Sequence, residues 1–127
     1  MAGGIRRIYL DVGDLAASLE FYREYLGFLL ASQTDMGQLQ LAVLQMGTME
    51  LWLREQRTGR RERTAGERGS GVVVGLDVAE VDQLCRELEL RGVPPELPPH
   101  NAAWGERCAL ILDPDGYRIM LIQRNGP

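Results

Sequence analysis

The chain of 127 residues contains no lysine; all 14 of its basic residues are arginine. It has a single histidine, His100, and two cysteines, Cys85 and Cys108. Two cysteines make no disulfide framework, so isolated structural thiols in a reduced, cytoplasmic protein are expected. No apolar run approaches the roughly 20 residues that span a bilayer, and the opening MAGGIRRIYL lacks the apolar core of a signal peptide. The net charge of −4 argues against nucleic acid as a partner. Also missing are a G-x-S-x-G elbow, an activated-cysteine pattern and a phosphate-cradling P-loop, which removes the common nucleophile and nucleotide chemistries.

What remains is an ordinary globular composition, 45% hydrophobic and 25% charged. A strand pattern over 5–12 leads into a helical one over 14–26. There Leu15, Leu19, Tyr22 and Leu26 share a face, and Gly27 stands as the stop. Strand patterns over 28–34, 39–45 and 49–53 follow, separated by the turn sequences DMGQ and QMGT. The stretch REQRTGRRERTAGERGS carries six arginines against three glutamates and no hydrophobic period. It reads as a solvated linker, with a pocket flap or a phosphate contact as the alternatives. GVVVGLDV then gives a strand and 79–90 a helix whose face holds Val81, Leu84, Cys85 and Leu88. A short strand over 94–97 and a Pro-rich loop over 98–106 precede strands over 107–112 and 117–123, the last one entered through the turn DPDG.

The plan is therefore stated twice. DVGDL (11–15) is echoed by DVAEV (77–81) at an offset of 66, and MELWL (49–53) by IMLIQ (119–123) at an offset of 70. The expected fold is α+β, with a βαβββ module over 1–54, an Arg-rich linker over 55–70 and a second βαβββ module over 71–127. The two are expected to form one compact domain, related by a pseudo-two-fold, with curled mixed sheets enclosing a cavity.

VGDLAASLEFYREYLGF (12–28), GLDVAEVDQL (75–84) and DPDGYRIMLIQ (113–123) resemble, in that order, the opening, middle and closing signatures of the vicinal oxygen chelate superfamily. That family holds glyoxalases, bleomycin-resistance proteins and extradiol dioxygenases. The resemblance implies metal ligands on the first and last strand of each half, at positions that here carry Arg7, Glu50, Val73 and Met120. Only Glu50 offers a hard donor. Valine has none, a thioether is soft and weak, and a guanidinium is a fixed cation. No metal and no cofactor are expected. Glu50 would then need water, a cationic ligand or a nearby arginine. It is expected either to pair with Arg7, or to face a pocket from which Arg7 turns into solvent beside Arg6.

Strand alternation puts Arg7, Tyr9 and Asp11 on one face, and Glu50 and Trp52 likewise. With Val73, Met120 and Trp104 they make a candidate ligand-binding set, aromatic and sparing in charge, suited to a small, flat organic molecule. Trp104 lies in the loop over 98–106, where it would cover a ligand or a partner chain or else pack inward. His100, in the same loop, suits a surface role better than ligand contact or acid–base work. The expected function is metal-independent small-molecule binding of the bleomycin-resistance kind, with sequestration of a drug or metabolite. The resemblance also implies a homodimer. The alternatives are a metal-free isomerase or lyase using Glu50 as general base, and a metal-dependent glyoxalase or dioxygenase.

Overall fold

A computed structural model describes residues 1–57 and 71–124, which divide into two compact units at the gap between them. Most of the Arg-rich segment lies outside the described residues. In the first unit, strand β1 (Arg7–Asp11) leads to helix α1 (Leu15–Leu19), which continues as a π-helical stretch, Glu20–Tyr25. Strands β2 (Leu29–Asp35), β3 (Leu39–Met46) and β4 (Met49–Gln56) complete it. The second unit repeats the plan with β5 (Val73–Asp77), α2 (Val81–Leu90), β6 (Leu97–Asn101), β7 (Glu106–Leu112) and β8 (Arg118–Arg124). The sheets have the same order, β1-β4-β3-β2 and β5-β8-β7-β6, with one parallel and two antiparallel pairings each. Among the described residues, no helix is long and apolar enough to cross a membrane.

Each unit has its own core. In the first, the helix packs on β3 and β4, and Leu10, Val12, Leu15, Ala42, Leu44, Leu51 and Leu53 are buried between them. Tyr22 meets Phe21 and Phe28 edge-on, at ring-centre distances of 5.1 and 5.5 Å. In the second, Val81, Cys85 and Leu88 face Ala109, Ile111, Ile119 and Leu121. Each large aliphatic side chain so buried contributes on the order of 1.5–3 kcal/mol.

The first helix departs from its sequence reading. Leu15 and Tyr22 are buried, but the core takes Ser18 and Phe21 instead of Leu19 and Leu26. The cause is the π-helical stretch: Leu26 N–H donates to the Phe21 carbonyl at 3.2 Å, five residues back, which rotates the apolar stripe away from a 3.6-residue period. Gly27 ends the helix at φ 83°, and Phe28 N–H donates to the Tyr22 carbonyl at 2.9 Å.

Two more boundaries differ. The Pro-rich loop begins as a strand: Leu97–Asn101 pairs with β7 at the sheet edge, where a missing N–H is tolerated, and its register breaks between Leu97 and His100, around Pro98 and Pro99. Strand β4 also runs three residues past the expected 49–53, through Gln56.

Candidate functional site

In the first sheet, the face opposite the helix is built by the parallel pair β1 and β4. Their register sets Arg7 beside Glu50, Tyr9 beside Trp52 and Asp11 beside Arg54. Ile8, Leu10, Leu51 and Leu53 point the other way, toward the helix, so alternation alone delivers six polar or aromatic side chains to one face.

These six form three rows. In the first, Arg7 Nη2 lies 3.2 Å from Glu50 Oε1. In the middle row, the Tyr9 and Trp52 rings sit 5.6 Å apart at a 56° tilt. In the third, Arg54 Nη1 is 3.9 Å from Asp11 Oδ1. The rows are tied together: Trp52 Nε1 donates to Glu50 Oε1 at 3.4 Å, Arg7 Nη1 donates to the Tyr9 hydroxyl at 3.4 Å, and the Arg7 guanidinium lies 4.2 Å from the centre of the indole. Arg7 Nε is buried without a hydrogen-bond partner, a cost that the cation–π contact, worth about 0.5–2 kcal/mol, offsets. The side chains of Arg7 and Glu50 keep 22% and 34% of their exposure, so their ion pair itself contributes no more than about 1 kcal/mol. Its main effect is to orient both groups. An open hollow of about 630 Å³ adjoins the first row, lined by Gly3, Gly4, Ile5, Arg6, Gln45, Thr48 and Glu50. Glu50 is common to the hollow and the rows.

In the second sheet, the corresponding face carries Val73, Gly75 and Asp77 on β5, beside Arg118, Met120 and Ile122 on β8. Trp104 lies outside both strands, in the β6–β7 turn; it is 72% exposed, and its indole N–H donates to Glu106. His100 lies in β6, opposite Cys108, and its Nδ1 is 2.9 Å from the Pro98 carbonyl. Thus Arg7, Tyr9, Asp11, Glu50 and Trp52 come together as one cluster. Val73 and Met120 lie on neighbouring strands of the second sheet, and Trp104 belongs to a separate turn. Sequence reasoning misses Arg54, because it opens the Arg-rich stretch, although it shares the parity of Glu50 and Trp52 in MELWLRE. It misses Gln45 and Thr48 because nothing local marks a turn as the wall of a hollow.

The structure also corrects the internal repeat. Val12 N–H donates to the Arg54 carbonyl and Val78 N–H to the Ile122 carbonyl, both at 2.8 Å. Leu15 N–H donates to Glu55 and Val81 N–H to Gln123. The first strands and helices therefore correspond at an offset of 66, but the last strands correspond at 68 and not 70. The counterpart of Met120 is Trp52, and that of Glu50 is Arg118. A two-residue slip keeps every side chain on its face, which is why alternation cannot detect it. With this register, the ligand positions implied by the resemblance carry Arg7, Trp52, Val73 and Met120. A guanidinium, an indole and an isopropyl group offer no lone pair to a divalent ion, and the thioether is soft and weak. The residues do not fit a metal. In the first unit, the two positions touch each other as the Arg7–Trp52 stack. Among the described residues, no three His, Cys, Asp or Glu side chains gather as a ligand set elsewhere.

Two duplicated βαβββ units, each with an open sheet face, define the class. The chain belongs to the Glyoxalase/Bleomycin resistance protein/Dioxygenase superfamily, whose family model matches residues 4–121. No curated protein matches it. Among solved structures, it is similar to TnmS3, an antibiotic binding protein from Streptomyces sp. CB03234, at 26% identity over 98% of both chains and a TM-score of 0.77. It also resembles a glyoxalase I variant from Zea mays, at 24% identity and a TM-score of 0.81, over 96% of this chain and 46% of that one. A superfamily domain from Frankia sp. EAN1pec matches at 18% identity and a TM-score of 0.79, over 98% of this chain and all of the other. The last two likenesses concern the fold alone.

Proposed function

We propose that this protein is a metal-independent binder that sequesters a small aromatic molecule, held on the open face of the first sheet by Arg7, Tyr9, Asp11, Glu50 and Trp52. Val73 and Met120 on the second sheet, and Trp104 in the β6–β7 turn, are the candidates of the second unit taken by itself. The observation that carries the reading is the Arg7–Trp52 stack, with the cation 4.2 Å from the indole centre. It fills two positions where relatives that use a metal would need donors, and it leaves an aromatic, hydrogen-bonding surface in their place. Similarity to an antibiotic-binding protein supports binding over turnover. Glu50 Oε1 is engaged by both Arg7 and Trp52, which makes it a poor candidate for an unencumbered base.

The reading is tested by calorimetric titration of the wild type and of Trp52→Ala with a panel of antibiotics and aromatic metabolites. Binding by the wild type is expected, with at least about tenfold weaker binding by the variant, as removal of one stacking ring from a binding face should produce. Equal affinity in the two proteins would move the site elsewhere. Turnover of any panel member, abolished in Glu50→Gln, would replace binding with catalysis. A reducing, cytoplasmic setting agrees with the buried free thiols of Cys85 and Cys108. A homodimer, proposed from family likeness, is checked by sedimentation.

A further inference from the structure

The three rows of the first sheet have a charge pattern that goes beyond the presence of aromatics. Along β1 the order is cation, aromatic, anion (Arg7, Tyr9, Asp11); along the adjacent β4 it is anion, aromatic, cation (Glu50, Trp52, Arg54). The strands are parallel, so every cation lies beside an anion, and the aromatic pair is bracketed by two oppositely oriented ion pairs. Four residues of strand separate the outer rows, about 13 Å at 3.3 Å per residue. That is the length of three fused six-membered rings with a polar group at each end.

Resting on the binding function proposed above, we infer that this face selects a planar ligand of about three fused rings with no net charge, carrying hydroxyl or carbonyl groups at its ends. The aromatic pair supplies the stacking surface, with Tyr9 more than half exposed. The ends of the face supply both donors and acceptors, since a guanidinium carries five N–H groups and a carboxylate about four lone-pair sites, more than one ion pair uses. Neutral hydroxyls and carbonyls can use both kinds without disturbing either pair. A ligand carboxylate at the first row would compete with Glu50 for Arg7 and leave a second anion beside it. A ligand ammonium would compete with Arg7 for Glu50 and leave a second cation. Either way a half-buried charge loses its partner, and the penalty falls on charged ligands alone. A face meant for anions would leave an arginine unpaired, and one meant for cations would leave a carboxylate unpaired; neither occurs in these rows. The neighbouring hollow adds the Gln45 amide and the Thr48 hydroxyl at the Glu50 end, with Arg6 also on its wall.

The test is a matched trio: anthracenemethanol, anthracenecarboxylate and anthracenemethylammonium, titrated calorimetrically against the wild type, Glu50→Gln and Asp11→Asn at neutral pH and low salt. The wild type is expected to bind the alcohol about tenfold more tightly than either charged analogue. Glu50→Gln frees the charge of Arg7 and should turn the preference toward the carboxylate; Asp11→Asn should do the same through Arg54. Thermal melts check that both variants fold, and because the two changes lie at opposite ends of the face, failure of one leaves the other as a test. Equal affinity across the trio, or tightest binding of a charged member by the wild type, overturns the inference while leaving aromatic binding standing. Binding of none of the three overturns the three-ring selection itself, and with a silent antibiotic panel it removes the binding function as well.

Discussion

Arg7 illustrates how one residue can change the use of a fold. It stands on a first strand where a metal-binding relative would need a donor, and it brings a cation of its own that Glu50 and Trp52 receive at 3.2 and 4.2 Å. Replacing it with alanine removes a partner from Glu50 and a cover from Trp52. Because the pair is partly exposed, stability should fall by no more than about 1–2 kcal/mol, measured by chemical denaturation, while aromatic affinity falls severalfold. A residue with a purely structural role would show the first change without the second. Asp82, in the second unit, offers a separate test. Its carboxylate takes two hydrogen bonds from Arg107, at 2.6 and 2.8 Å, and these hold it below the ordinary aspartate range. A carboxyl with a lowered pKa in the folded state stabilises above its unfolded value, near pH 4, and loses that contribution as pH falls through the folded value. The melting temperature should therefore drop on acidification below about pH 4, and Asp82→Asn should flatten this part of the profile.

At the scale of elements, the two units solve one problem with two residues. A helix leaves its first N–H groups without internal partners. Here the side chain of the last strand reaches across to the first helical residue: Glu55 Oε2 to Leu15 N–H at 3.4 Å, and Gln123 Oε1 to Val81 N–H at 2.8 Å. Since α2 has no side-chain cap of its own, whereas Asp14 also caps α1, Gln123→Ala should cost about 1 kcal/mol and Glu55→Ala less; Glu55→Gln should be close to neutral. Urea unfolding of the three variants checks the order. These bonds also show what the sequence can and cannot disclose. Alternation in RRIYLDV and MELWLRE is strong, and parity alone places Arg7, Tyr9, Asp11, Glu50 and Trp52 on one face. The pairing of Arg7 with Glu50 stands among the alternatives, because adjacent parallel strands bring equal parities together. The slip between Glu50 and Trp52 as the counterpart of Met120 is invisible, since a shift of two preserves parity and only hydrogen bonds reveal it. The turn of the first helix toward Phe21 is invisible too, because a π-helical stretch breaks the 3.6-residue period on which the reading rests. Leu97–Asn101 is hidden by prolines that an edge strand tolerates.

At the scale of the molecule, the duplicated unit is the part held in common with the glyoxalase I variant from Zea mays, while the four positions at which the family resemblance implies donors carry Arg7, Trp52, Val73 and Met120. The two units keep sheet order and helix placement, and the four positions hold arginine, tryptophan, valine and methionine, a set whose chemistry does not fit a divalent metal. That misfit has a thermodynamic signature. A site that bound Mn²⁺ or Zn²⁺ at a free concentration of 100 times its dissociation constant would raise stability by about 2.7 kcal/mol. For a chain of this size that is a shift of several degrees or more in the melting temperature. Wild-type protein melted with excess EDTA, with Mn²⁺ and with Zn²⁺ should give the same midpoint within error, and elemental analysis of protein purified without chelator should find well under one metal per chain. The same protein melted with an aromatic ligand should shift upward, and Trp52→Ala should shift less. A metal-dependent rise in the wild type would mean that donors outside Arg7, Trp52, Val73 and Met120 have taken over coordination. It would return the chain to the metal-using side of its superfamily.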